Sequence, residues 1–256
     1  MRAIDLSCDL GEATTPEELA IEEKIWPLIT SANIACGGHV GDTASMTRAA
    51  REAMRHDVAI GAHPSYPDRE NFGRKSMRLG ASALTAALHA QLDALTEAVD
   101  GEGGVLTHIK PHGALYNDAY HDADLAKTIV SVCIRRKGSL AIVTSPDSAV
   151  AAEAARAGCP VIIEGFADRR YRPDGSLQPR GEATALILDF EEAASQASML
   201  AHGGRVRAAD GSAIEIPCHT ICIHSDMPGA PERLTRLRDR LQHEGFTFQS
   251  LHHRVP

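Results

Sequence analysis

Residues 107–118 read THIKPHGALYND. An apolar run from Gly104 to Ile109 stops abruptly at Lys110, Pro111 and His112, with His108 set inside the run. A core strand can finish on a cation and an imidazole when its carboxyl end opens on a polar cavity, as in parallel β/α folds. Just upstream, ASALTAALHAQLDALTEAV places Leu84, Leu88, Leu92, Leu95 and Val99 at steps of three and four. That spacing predicts one buried helical face. Helix, strand and polar loop thus form a unit that can be sought elsewhere.

Similar apolar runs recur at Ala3–Cys8, Ala32–Cys36, Val58–Ala62, Val105–Ile109, Leu140–Val143, Val161–Ile163, Thr220–Ile223 and Phe246–Phe248. Helical patterns separate them. Asp42 can cap a helix that buries Met46, Ala49, Ala50 and Ala53. Pro146-Asp147 is expected to start a helix ending at Gly158, and Pro231 one with Leu234, Leu237 and Leu241 inward. Near-continuous apolar strands alternating with helices predict parallel β/α units covered on both faces. Tyr171–Leu177, turning at Pro173-Asp174-Gly175, and Val206–Ile216, turning at Asp210-Gly211, read as inserted hairpins. The expected fold is a single α/β domain over 1–256, a distorted parallel β/α barrel of seven or eight strands; an open doubly wound sheet is the competitor.

Ionisable residues follow six of the first seven runs: Asp9 and Glu12, His39 and Asp42, His63, Lys110 and His112, Glu164 and Asp168, and His224 and Asp226. The fifth run offers Ser145. In a parallel β/α fold these ends share one face. Asp9 and Glu12 suit a general base and its partner, metal ligands, or helix N-terminal acids. Asn33 is either a satisfied core amide or a substrate contact. His39 and His63 with Asp9 would make a His₂-carboxylate set for a divalent metal, though no HxxxH or HExxH supports it; proton transfer suits them equally. His108 reads as a core histidine bonded to backbone. Lys110 can stabilise developing negative charge or bind phosphate, and His112 can share its pocket as acid or base. Arg74 and Arg180, in Gly- or Pro-shaped loops, suit carboxylate or phosphate, while Arg169 and Arg172 read better as a solvated face.

Other classes are disfavoured. The formal charge is −8, from 26 basic and 34 acidic side chains, which disfavours a nucleic-acid partner. Six cysteines show no CxxC pair and sit mostly in apolar runs, so a reduced, cytoplasmic setting is expected. The stretch MRAIDLSCDLGE has no apolar h-region, and no apolar run reaches membrane length. GxxxxGK[ST], GxGxxG and GxSxG motifs are absent, so any nucleotide must bind unconventionally or on a partner.

DLSCDLGE (5–12), SANIACGGHVGD (31–42), GAHPSYPD (61–68), FGR (72–74), HIKPHGALYN (108–117), EGFADRRY (164–171), LQPRG (177–181) and CIHSDMP (222–228) resemble, in order, the motifs of the LamB/YcsF family. That family includes the A component of the bacterial ATP-dependent 5-oxoprolinase. The resemblance implies a seven-stranded barrel of the glycoside hydrolase/deacetylase kind. It further implies opening of the 5-oxoproline lactam to glutamate with ATP as cosubstrate, and partner subunits B and C. In that chemistry Asp9, Glu12, Lys110 and His112 would be catalytic, and Asn33, His39, His63, Arg74, Arg180 and Asp226 would hold substrate. The alternatives are a metal-dependent hydrolase or deacetylase using Asp9, His39 and His63, and a non-catalytic binding subunit. Neither requires nor excludes a homo-oligomer. The chain departs from the family pattern at Ser7, Gly38, Val40, Ser225 and Met227, where Asn, Phe or Tyr, Ala, Gly and Asn are usual. Ser7 and Gly38 are expected to enlarge or rewire the pocket.

Overall fold

The computed structural model describes residues 2–135 and 140–250. Its elements run β1 (Arg2–Leu10), α1 (Pro16–Ile25), β2 (Ser31–Ala35), α2 (Thr43–Arg55), β3 (Ala59–His63), α3 (Ala81–Gly101), β4 (Leu106–Ile109), α4 (Gly113–Asp118) and α5 (Ala123–Ile134). They continue through β5 (Ala141–Thr144), α6 (Ala149–Ala157), β6 (Val161–Phe166), α7 (Phe190–Ala201), β7 (Arg205–Arg207), β8 (Ala213–Glu215), β9 (Thr220–Cys222), α8 (Ala230–His243) and β10 (Phe246–Phe248).

Seven parallel strands, in the order β1-β2-β3-β4-β5-β6-β9, close into a barrel through the pairing of β9 with β1. Closure excludes the open sheet. β1 is long because it serves three neighbours: Ser7–Leu10 pairs with β2, Asp5–Ser7 with β9, and Arg2–Ile4 with β10 as an eighth, outlying strand. Both hairpins form. β7 and β8 pair antiparallel, Tyr171 bridges Leu177, and Tyr171 also bridges Ala208 and so ties the two insertions together.

Alternation along each strand divides the core. Leu6, Leu10, Ile34, Ile60, Ile109 and Ile142 join the buried helix faces, including Leu84, Leu88, Leu92, Leu95 and Val99 of α3. Each such side chain contributes about 1.5–3 kcal/mol by leaving water. A second, small cluster of Ala59, Ala141, Val143 and Ile162 packs apart from it, on the inward strand positions. Many of the other inward positions are polar. Asp5 accepts hydrogen bonds from Thr30 Oγ1 and Ser31 Oγ, each at 2.7 Å, and from Thr220. His108 is wholly buried, and a Cβ on Gly61 would stand 2.0 Å from its Nε2. Glycine in β3 is therefore what admits an imidazole inside the barrel.

Caps match the sequence with one shift. Asp42 accepts from Ser45 N at 2.8 Å, forming a capping box. The helix expected from Pro146 begins instead at Ala149, because Ser148 is the cap: its hydroxyl accepts from Ala151 N at 3.0 Å. Asp147 takes a left-handed φ of 54° that cannot lie within a helix. Gly158 ends α6 at φ 68°. None of the described helices is long and apolar enough to cross a membrane.

Candidate active site

The carboxyl ends of the barrel strands surround a cavity of about 700 Å³. On its floor lies a line of buried charge. Lys110 Nζ, immediately after β4, sits 2.9 Å from Asp9 Oδ1 on β1 and 2.8 Å from Glu164 Oε1 on β6. Asn33 Nδ2 donates to Asp9 Oδ1 at 2.8 Å, and Asn33 Oδ1 faces His108 Nε2 at 3.0 Å. His108 Nδ1 meets Thr107 Oγ1 at 2.7 Å. His108 is thus a core histidine whose two ring nitrogens face side chains, one of them the amide of Asn33.

These environments separate the carboxyl groups. Burial raises Asp9, but the His63 and Lys110 charges overcome it and hold Asp9 well below the usual carboxylate range. Burial also works against the Lys110 ammonium, yet Asp9, Cys222 and Glu164 hold it well above its ordinary value. For Glu164, burial and then the neighbouring Asp9 outweigh Lys110, so its carboxyl is pushed up. Asp9 is therefore the main counter-ion of Lys110, and Glu164 the group closer to taking a proton.

One wall is built of imidazoles. His63 Nδ1 donates to Lys110 O at 2.8 Å, and its Nε2 lies 3.2 Å from Asp9 Oδ2 and 3.0 Å from His112 Nδ1. His112 Nε2 donates to Phe72 O at 2.9 Å. His39 stacks on His112 with centroids 3.7 Å apart, and its Nε2 lies 2.9 Å from Glu12 Oε1. Burial, and then the His63 charge, push both His39 and His112 well below the usual imidazole range. Burial likewise raises Glu12, despite the opposing pull of His112 and His63.

The rim carries Arg74 and Arg180, both paired to Asp226. Asp9, Glu12, His63, Arg74, Lys110, His112, Arg180 and Asp226 all line the one cavity. Asn33 and His39, expected at the ligand, stand behind it: Asn33 beneath Asp9 and His39 behind Glu12. Gly38 opens no space, because a Cβ there would lie 2.2 Å from Gln91 Oε1 and 2.4 Å from Ser65 Oγ. Gln91 fills that volume and bonds Ser65 N and O, each at 2.9 Å. Ser7 lines no part of the cavity; its hydroxyl accepts from Thr220 Oγ1 at 3.0 Å. Neither residue therefore enlarges the cavity; at Gly38 the loop is rewired instead, through Gln91 and Ser65.

The structure gives definite partners to strand-end residues that the sequence placed on this face without a role. Glu164, inside β6, meets Lys110, and His224, just after β9, lines the cavity. Asp168 accepts from His224 N at 2.9 Å and faces His224 Nδ1. Tyr116 meets Ser145 with 2.7 Å between hydroxyl oxygens, and no local pattern announces that pair.

The metal set read from sequence is regrouped. Among the described residues, donor atoms lie within 4.8 Å of one another in Glu12, His63 and His112, and in Asp9, Cys222 and His224. His39 joins neither group. The first group fits a divalent cation better, because His63 and His112 each give their outer N–H to a backbone carbonyl and turn the other nitrogen inward, the usual orientation of ligating imidazoles.

A closed β/α barrel with acids, bases and a buried ammonium at one mouth defines a barrel enzyme suited to proton-transfer chemistry on a small polar ligand. The chain belongs to the LamB/YcsF family, which it matches over residues 4–255. It is 42% identical over 250 residues to the 5-oxoprolinase A component of Methylococcus capsulatus, covering 98% of this chain and 96% of that one. The protein of that name from Pyrococcus furiosus is 41% identical over 242 residues, covering 94% and 95%. The crystal structure of a lactam utilization protein from Thermus thermophilus superposes with a TM-score of 0.88 at 36% identity, covering 97% of this chain and 99% of that one. The Xyl-CE4 domain of a multidomain xylanase, from the hindgut metagenome of Trinervitermes trinervoides, shares the fold alone. Its TM-score is 0.53 at 10% identity, over 98% and 88% of the two chains.

Proposed function

We propose that this chain is the A component of an ATP-dependent 5-oxoprolinase, holding the lactam and opening it to glutamate together with partner subunits B and C. The observation that carries the reading is the buried Asp9–Lys110–Glu164 line on the cavity floor, in a chain 42% identical to a 5-oxoprolinase component of that kind. A lactam carbonyl is a poor electrophile. Phosphorylation of its oxygen by ATP supplies a leaving group; one water then cleaves the C–N bond and a second releases phosphate.

Within that sequence the chain's own residues divide the work. Lys110 places a fixed cation where negative charge develops on the carbonyl oxygen. Asp9, held ionised, anchors Lys110 and His63 and is too weak a base to take a proton readily. Glu12, raised by burial and set against His39 and His112, is the better group to draw a proton from water. Glu164, also raised, lies wholly buried behind Lys110 and outside the cavity lining, so it can exchange a proton with Lys110 rather than with the ligand.

The test is ATP-dependent glutamate release from 5-oxoproline by the chain reconstituted with both partners. Glu12→Gln and Asp9→Asn should each lower kcat by about 10²-fold or more. A reconstituted set without turnover, or full turnover in Asp9→Asn, would sink the assignment.

A second reading rests on the inward nitrogens of His63 and His112: a divalent cation held with Glu12, and metal-dependent hydrolysis of a related amide. Elemental analysis of the purified chain separates the two. A stoichiometric metal that is lost in His112→Ala favours the cation.

A further inference from the structure

At the rim two guanidinium groups hold one carboxylate that the chain itself supplies, and a third lines the same cavity. Arg74 Nη2 donates to Asp226 Oδ2 at 2.7 Å and Arg180 Nη2 to Asp226 Oδ1 at 2.6 Å. Arg169 lines the same cavity and is only 5% exposed. Its Nη2 donates to Gln178 O at 2.7 Å, while its buried Nε has no hydrogen-bond partner. Burial first, and then the Arg180 and Arg74 charges, push this guanidinium below its ordinary range, offset in part by Asp168. Asp168 is itself engaged by the backbone and ring of His224. The cavity of an acidic protein thus sets Arg74, Arg169 and Arg180 beside one resident anion, Asp226, with an unused buried donor on Arg169. Guanidinium forks match a planar carboxylate in shape as well as charge.

We propose that Arg74, Arg169 and Arg180 form the subsite for the carboxylate on the carbon beside the lactam nitrogen, with Asp226 holding its place until substrate arrives. This rests on the lactam reading above. That carboxylate is unchanged by ring opening, so it can serve as a handle while the carbonyl is turned toward Lys110 and Asp9. The subsite makes the protein selective for lactams bearing an adjacent acid group over the bare ring. Asp226, removed as a competitor, should let the acid bind more tightly.

Calorimetric binding to the chain assembled with its partners compares 5-oxoproline, 2-pyrrolidinone (the same ring without the acid) and inorganic phosphate. The expected result is at least about tenfold tighter binding of 5-oxoproline than of 2-pyrrolidinone. Arg180→Ala should erase that preference, and Asp226→Asn should tighten 5-oxoproline severalfold while leaving 2-pyrrolidinone unchanged. In turnover, Arg180→Ala should raise KM far more than it lowers kcat. Arg169→Lys, which keeps the buried charge, covers the case in which loss of a side chain unfolds the rim; it should weaken 5-oxoproline alone. Equal affinity for the two rings, a preference surviving both arginine variants, or weaker binding in Asp226→Asn would overturn the subsite. Phosphate competing as well as 5-oxoproline would overturn its assignment to a carboxylate. Acid-dependent binding without glutamate release would leave the subsite standing and remove the 5-oxoprolinase reading. Turnover without discrimination would do the reverse, and failure of 5-oxoproline to bind together with absence of turnover removes both.

Discussion

His39 places one ring nitrogen against Glu12 and buries the other without a hydrogen-bond partner. Because burial depresses its affinity for a proton, the folded chain stays neutral at this site where an unfolded imidazole, with a pKa of about 6.5, takes up a proton. Unfolding therefore binds a proton below that pH, and stability falls as pH falls through about 6.5 toward the folded value. His112 acts in the same direction. Asp168, held low by His224 against its burial, adds stability that is lost only below about pH 3.9. His39→Asn should thus shrink the loss of unfolding free energy between pH 7 and 5.5 by about 1 kcal/mol, read by urea titration at each pH. An unchanged slope would show that His39 titrates normally. Asp9, His63, Lys110 and His112 were legible in the sequence because each closes an apolar strand and strand ends share a mouth. The difference between touching the cavity and standing behind it was not legible, since Asn33 and His39 owe their places to partners 24 and 27 residues away.

Helices and strands were legible because their periodicities are local, and every expected strand is present to within two or three residues. The start of α6 was misplaced by giving Pro146 more weight than a serine hydroxyl two positions on. Ser148 also lies 3.0 Å from Thr144 Oγ1, so it fixes the end of β5 to the start of α6. Ser148→Ala should cost about 0.5–2 kcal/mol in denaturant unfolding, with the lower end indicating that the link to Thr144 contributes nothing. The loop after β2 misled for another reason. The space beside Gly38 is taken by Gln91, which comes from α3, far off in sequence. Gly38→Phe should displace Gln91 from Ser65 and lower Tm; a variant as stable as the parent would mean that this loop yields freely.

Across the whole barrel, Lys110 joins strands that are not neighbours, linking β4 to β1 and to β6. Removing it leaves two buried acids facing each other. Lys110→Met should cost about 3–5 kcal/mol as well as activity, and adding Glu164→Gln should recover part of the stability and none of the turnover. Recovery of both would make Lys110 a structural tie only. No reading of single segments could supply this link, because its three members come from residues 9, 110 and 164.

The fit of His108 against Gly61 has a consequence for descent. With no room for a methyl group beside the ring, position 61 is held to glycine for as long as position 108 keeps its imidazole. A lineage that gave up the imidazole would release position 61 from glycine and loosen the amide that steadies Asp9, so the loss would be written at both places at once.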